Sequence, residues 1–189
     1  PSSATAYKSP EDLPMFRHSG GKQEGESSLW LPSPRDTLRL GQALGRCLEA
    51  GDCVALFGPV GAGKTTLVQG MAEGTGSEAH ATSPSFVLVH RYAGTPNLLH
   101  ADLYRIERVS EFEDLALEEM AEAEGAAMAI EWCERCRGAL PAVRLEVHMS
   151  YAAQGRQALP WAIGSRAEAL LDAWRRAGFG LRGATGDRP

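Results

Sequence analysis

Apolar positions along the chain fall into two rhythms, and the boundaries between them sketch its elements. At Ser33-Pro34-Arg35-Asp36, a serine suited to capping precedes a proline at the first helical position and an acid in the first turn. Leu38, Gly41, Leu44, Gly45 and Leu48 then recur near helical spacing, and Gly51 ends the predicted helix. Cys53-Val54-Ala55-Leu56-Phe57 is instead a continuous apolar run between Asp52 and Gly58, which suits a strand buried on both faces of a parallel sheet. Leu67, Val68 and Met71 share one face of a second helix that stops around Gly74 or Gly76. Gly70 inside it costs about 1 kcal/mol against alanine, so either another segment packs closely there or the helix is locally weak.

Ser83-Pro84-Ser85 opens a loop into Phe86 to Tyr92, which reads as a strand. A Gly- and Pro-containing turn over 93–97 leads to Leu98 to Asp102 as the return strand of an antiparallel pair. Ser110-Glu111-Phe112-Glu113 has the form of a capping box, with Phe112, Leu115 and Ala116 as the buried stripe of its helix. Ala126 to Ile130 is another buried apolar run, ending at Glu131. Leu145, Val147, Met149 and Tyr151 alternate as one face of a strand. A second capping box, Ser165-Arg166-Ala167-Glu168, precedes Leu170, Leu171 and Trp174 on a terminal helix. Strands alternating with helices, plus one hairpin-like pair, predict an α/β fold with a sheet of mixed direction.

The 189 residues fit one domain with room for a sizeable core. Residues 1–28, rich in Ser, Pro, Gly and charge without an apolar period, are expected to form a flexible extension. The net charge of −5 removes the basic footprint of a protein that holds nucleic acid alone. No apolar run approaches the roughly 20 residues needed to cross a bilayer. The N-terminal stretch has no apolar core of a secretory signal, so a cytoplasmic location without membrane association is expected. Four cysteines, Cys47, Cys53, Cys133 and Cys136, are too few for a disulfide scaffold and read as reduced thiols.

The chemistry concentrates at Gly58-Pro59-Val60-Gly61-Ala62-Gly63-Lys64-Thr65, a full G-x-x-x-x-G-K-[ST] pattern between an apolar strand and an amphipathic helix. Gly58 allows a tight turn out of the strand, and Gly63 lets backbone N–H groups close on phosphate oxygens. The helix N-terminus adds the positive end of its dipole. Lys64 would reach the β- and γ-phosphates, Thr65 would offer its hydroxyl to magnesium, and Thr66 is a further donor near the α- or β-phosphate. A carboxylate must complete such a site. Asp102 and Glu131 both stand where apolar strands end, and carboxyl ends of strands face the ligand crevice in open α/β sheets. Either acid can serve magnesium, and either can be a surface acid at a strand end. The absence of an N-K-x-D motif argues against an ordinary GTPase, and the absence of an L-S-G-G-Q-like stretch against a transporter ATPase; ATP is the expected nucleotide.

The string Gly61-Ala62-Gly63-Lys64-Thr65-Thr66 is followed in order by Ser83-Pro84-Ser85-Phe86, His100-Ala101-Asp102-Leu103-Tyr104-Arg105 and Glu131-Trp132. With Leu140-Pro141 and Tyr151 to Arg156 further on, this resembles the TsaE (YjeE) family, bacterial ATPases of tRNA threonylcarbamoyladenosine biosynthesis, over about residues 33 to 175. The resemblance implies a three-layer P-loop NTPase-like domain, bounded at residues 29–178, and residues 179–189 outside it are expected to form a flexible tail. It implies ATP on Gly58 and Gly61 to Thr66, with Lys64 as a catalytic group and magnesium on Thr65 and Glu131. Asp102 would position water at the γ-phosphate, Trp132 would sit beside the nucleotide, and Gly155 would approach it from the C-terminal strands. Ser83 to Phe86 would be a loop that answers to nucleotide, and TsaB- and TsaD-like proteins would be partners holding the tRNA, which this chain meets only indirectly.

Two residues depart from the family pattern. Ser85 replaces a usual threonine, keeping the hydroxyl without the methyl, and Cys133 replaces a usual proline. The resulting Cys133-Glu134-Arg135-Cys136 has the C-x-x-C form, but Cys47 and Cys53 lack the spacing that would complete a zinc site, so incidental thiols are expected. His100 reads as a packed or hydrogen-bonded strand residue. Two alternatives to an ATPase remain: a small-molecule kinase using Asp102 as base, and a non-enzymatic module whose partner binding depends on nucleotide.

Overall fold

A computed structural model describes residues 28–78 and 88–177 of the chain. The expected tail over 179–189, the expected extension apart from Ser28, and the Ser83 to Phe86 loop lie outside the described residues.

Seven strands form one sheet. In chain order they are β1 (Leu29–Leu31), β2 (Cys53–Phe57), β3 (Val89–Tyr92), β4 (Asn97–Asp102), β5 (Ala126–Glu131), β6 (Arg144–Tyr151) and β7 (Arg156–Ile163). Across the sheet they run β1-β7-β6-β2-β5-β4-β3. The four central strands are parallel, and each outer pairing (β1 on β7, β7 on β6, β3 on β4) is antiparallel. The expected mixed sheet is therefore present, with the apolar runs of β2 and β5 buried at every position.

Helices cover both faces, giving three layers. Helices α1 (Pro34–Gly45), α2 (Lys64–Gly74) and α5 (Ser165–Arg176) enclose one core with Val54, Leu56, Leu145, Val147 and Met149. Helices α3 (Val109–Glu113) and α4 (Leu117–Glu124) lie over the other, which holds Cys53, Ala55, Phe57, Met128 and Ile130. Ser33 caps α1 as expected, its N–H and hydroxyl both donating to the Asp36 carboxylate. Gly70 marks a close helix crossing: a Cβ there would stand 2.1 Å from the Leu38 carbonyl oxygen, and one at Gly41 would stand 2.1 Å from that of Leu67. With Gly45 and Gly74 a turn further on, α1 and α2 meet backbone to backbone, which fixes the first turn of α2.

The two downstream capping boxes do not form. Ser110 lies inside α3, whose cap is Arg108, and Glu111 instead accepts from the Arg108 side chain and the Glu107 N–H. The chain turns at Ala116, in the left-handed region at φ 47°, so Leu115 and Ala116 do not continue α3 and α4 starts afresh. Gly164 caps α5, one residue before Ser165. Strand β6 also differs from a half-buried strand. Its alternate residues Glu146 and His148 are buried in the second layer, where Glu146 meets Arg137, Arg144 and His148.

Candidate phosphate site

Strand β2 delivers the chain to the loop, and α2 begins directly after it at Lys64. Gly58 has φ 132°, and a Cβ on it would meet the Met149 carbonyl oxygen at 2.1 Å, so only glycine turns here against β6. The first turn of a helix leaves N–H groups without intrahelical acceptors, and α2 directs that end at the loop. Within the loop the Ala62 N–H donates to the Pro59 carbonyl at 3.2 Å, closing a turn at its tip.

Lys64 is buried. Its Nζ donates to the Gly58 and Pro59 carbonyls at 2.6 and 3.1 Å and lies 3.7 Å from the centroid of the Trp132 ring. Burial pushes its pKa below the ordinary value, partly offset by the carboxylates of Glu131, Glu134 and Asp102. Thr65, next along α2, donates its hydroxyl to Glu131 Oε2 at 3.1 Å, while Glu131 Oε1 stands 2.9 Å from His100 Nε2. Glu131 is 1% exposed and His100 fully buried, so threonine, carboxylate and imidazole form a line held from both sides. His100 is thus a hydrogen-bonded strand residue, as its position in an apolar run implied. Thr65 and Glu131 are 66 residues apart in sequence, and the parallel pairing of β2 with β5 brings them together.

Asp102 pairs with Glu131 in the β4–β5 ladder, so both acids stand at the same carboxyl edge of the sheet. One Asp102 oxygen accepts the Tyr104 N–H at 3.0 Å. Trp132 follows Glu131 with φ 64°, a left-handed conformation that turns its ring over Lys64, and Tyr104 meets that ring edge-on at 5.0 Å. Two hard oxygen donors, a hydroxyl and a carboxylate in contact at the end of a P-loop, match the donor preference of magnesium.

Gly155 stands elsewhere in its contacts. It turns β6 into β7 at φ 80°, and a Cβ on it would meet the Leu31 carbonyl oxygen at 2.2 Å, so β1 is what lies against it. Its neighbour Arg156 and the facing Tyr151 reach the P-loop instead, donating to the Gly61 and Val60 carbonyls. Thr66 is half-buried on the first turn of α2. Two contacts at the loop had no counterpart among the expected site residues: Glu134 accepts the Gly58 N–H at 3.0 Å, and Tyr151 with Arg156 holds the Val60 and Gly61 carbonyls. Gly155 is the one local sequence signal that could have pointed to a tight turn there. Cys133 is buried and donates to the Ile130 carbonyl at 3.0 Å, and no group of three or more His, Cys, Asp or Glu side chains placed to hold a metal occurs among the described residues. No helix among them is long and apolar enough to cross a membrane.

The family described as Threonylcarbamoyl adenosine biosynthesis protein TsaE matches residues 31–158. The chain is 38% identical over 125 residues to the tRNA threonylcarbamoyladenosine biosynthesis protein TsaE of Treponema pallidum, covering 66% of this chain and 92% of that one. The protein of the same name from Bacillus subtilis is 33% identical over 142 residues, covering 74% and 88%. Among solved structures, Bacillus subtilis YdiB superposes with a TM-score of 0.62 at 27% identity, over 79% of this chain and 93% of that one.

Proposed function

The chain belongs to the TsaE family of threonylcarbamoyl adenosine biosynthesis proteins, and from that premise we propose that it is a magnesium-dependent ATPase serving tRNA threonylcarbamoyladenosine formation. The observation that carries this reading is the contact of Thr65 with Glu131 beside Lys64, with Asp102 on the adjoining strand. Backbone N–H groups at the start of α2 would bind the phosphates, and Lys64 would exchange its two carbonyl acceptors for phosphate oxygens. Thr65 and Glu131 would hold magnesium, which when bound neutralises charge on the phosphate oxygens. Asp102, one strand from Glu131, would orient the attacking water and accept its proton. His100 keeps Glu131 aimed at Thr65, so the carboxylate need not reorganise. Trp132 shields Lys64 from water, which strengthens its attraction to anions.

Such a site works by positioning and charge neutralisation, so turnover by the isolated chain should be slow when partners complete it. TsaB- and TsaD-like proteins are the proposed partners, holding the tRNA that this acidic chain does not bind by itself, and the cytoplasm is the proposed location. The test is reconstitution with those two proteins, tRNA and ATP. Release of ADP and free phosphate should require magnesium and be lost in Glu131→Gln, and multiple-turnover modification should require this chain. Modification that proceeds equally without it would refute the pathway role, and phosphate appearing on an acceptor molecule would refute hydrolysis.

A further inference from the structure

We propose that Tyr151 and Arg156 form an external clasp that sets the orientation of the P-loop peptides and thereby its affinity for nucleotide phosphates; this rests on the nucleotide reading above. The two residues face each other across the last rung of the β6–β7 hairpin. The Tyr151 hydroxyl donates to the Val60 carbonyl, and Arg156 Nε donates to the Gly61 carbonyl at 2.9 Å. The guanidinium stacks 4.7 Å from the Tyr151 ring centroid and donates Nη1 to the Gly155 carbonyl at 2.8 Å, so the pair is braced internally. Gly155 lets the hairpin turn while lying flat on Leu31, which fixes the clasp to β1 as well.

The consequence follows from peptide planarity. In a trans peptide the C=O and the next N–H point in opposite directions. Drawing the Val60 carbonyl outward to Tyr151 therefore turns the Gly61 N–H inward. Drawing the Gly61 carbonyl outward to Arg156 turns the Ala62 N–H inward, where it meets the Pro59 carbonyl. An unclasped loop with φ 74° at Gly61 and 102° at Gly63 has the freedom of glycine to flip these peptides. The clasp removes that freedom before ligand arrives, which lowers the ordering cost of binding. Val60 is 66% and Tyr151 56% exposed, Arg156 is half-buried, and neither Tyr151 nor Arg156 belongs to a core cluster, so Tyr151→Phe and Arg156→Ala should leave both cores packed.

The experiment measures ADP and ATP affinity by calorimetry for the wild type, Lys64→Ala, Tyr151→Phe, Arg156→Ala, Arg156→Lys and the Phe/Ala double variant, with thermal midpoints alongside. Each single clasp variant should weaken ADP and ATP by the same factor, about five- to tenfold. Thermal midpoints should stay unchanged, Arg156→Lys should recover part of the loss, and the double variant should lose less than the product of the singles. Unchanged affinities on a wild type that binds overturn the clasp alone. A loss confined to Arg156→Ala and larger for ATP than ADP also overturns it, since Arg156 would then touch the terminal phosphate itself. A wild type that binds neither nucleotide overturns both the clasp and the nucleotide reading.

Discussion

Glu146 is a buried carboxylate outside the candidate phosphate site, and replacing it by glutamine isolates what a buried ion cluster contributes to this fold. The side chain is 1% exposed on β6. It accepts from Arg137 Nη2 at 2.5 Å, from Arg144 Nε and Nη2 at 3.0 and 2.8 Å, and sits 3.0 Å from His148 Nε2. Burial alone pushes its carboxyl up, but the hydrogen bonds from His148 and Arg144 and the charges of Arg137 and Arg144 outweigh this and hold it at about 2. A fall from 4.5 to about 2 corresponds to about 3 kcal/mol. The Arg137 side chain is 25% exposed and admits solvent at one edge, which reduces the value to about 2 kcal/mol. Glutamine also leaves two arginines without a countercharge, a loss of about 3–5 kcal/mol where a buried pair is broken. Glu146→Gln should therefore cost about 3 kcal/mol in urea unfolding near neutral pH.

The pH dependence has a defined sign. Because the folded carboxyl titrates below its unfolded value, its contribution is complete above about pH 4.5 and is lost as pH falls towards about 2. The stability gap between wild type and Glu146→Gln should therefore shrink by more than half between about pH 7 and pH 3. A gap under about 1 kcal/mol at neutral pH, or one that does not change with acidification, would refute this account of the cluster.

Gly70→Ala should destabilise rather than stabilise, by about 2 kcal/mol or more in thermal unfolding, because the Cβ contact with the Leu38 carbonyl overrides the gain of about 1 kcal/mol in helix propensity. Lys64→Ala should weaken ADP binding by about 100-fold in calorimetry without lowering the thermal midpoint, since the native ammonium is desolvated there. Cys133, whose thiol burial pushes well above its usual pKa, should resist alkylation in the folded protein and react on denaturation; rapid labelling of folded protein would contradict its buried setting. Asp52→Ala removes the two carboxylate oxygens that accept from Arg166 Nε and Nη2 (2.8 and 2.7 Å) and the acceptor of the Glu49 N–H, leaves Arg166 only its Glu49 pair at 3.3 Å, and should cost about 1–2 kcal/mol in urea unfolding.

Local chemistry made several features legible in the sequence. Continuous apolar runs identified β2 and β5 because central parallel strands are covered on both faces. The P-loop motif was readable because its turn, helix start and lysine lie within eight residues, and Gly70 left open a close crossing or a weak helix, of which the structure shows the crossing. The downstream capping boxes misled because a Ser-x-x-Glu string records only a local preference: Arg108 takes the cap of α3, a left-handed Ala116 separates α3 from α4, and Gly164 takes the cap of α5.

What only the tertiary structure decided is which distant residues share a site. The separation of 66 positions from Thr65 to Glu131 is closed by the pairing of β2 with β5, and that of 95 from Gly61 to Arg156 by an antiparallel hairpin at the far side of β2. Strand order depends on the summed packing of both layers, which no short segment encodes. Glu146 and His148 show the same limit: alternation grouped Leu145, Val147, Met149 and Tyr151 on one face and said nothing of Glu146 and His148, which are buried where Arg137 and Arg144 satisfy the carboxylate. The chain alone thus specified the glycine-rich loop between β2 and α2 and the acids that end the strands. The fold supplied the line from Thr65 through Glu131 to His100 and the clasp behind the loop, because hydrogen bonds between distant segments exist only once the sheet has assembled.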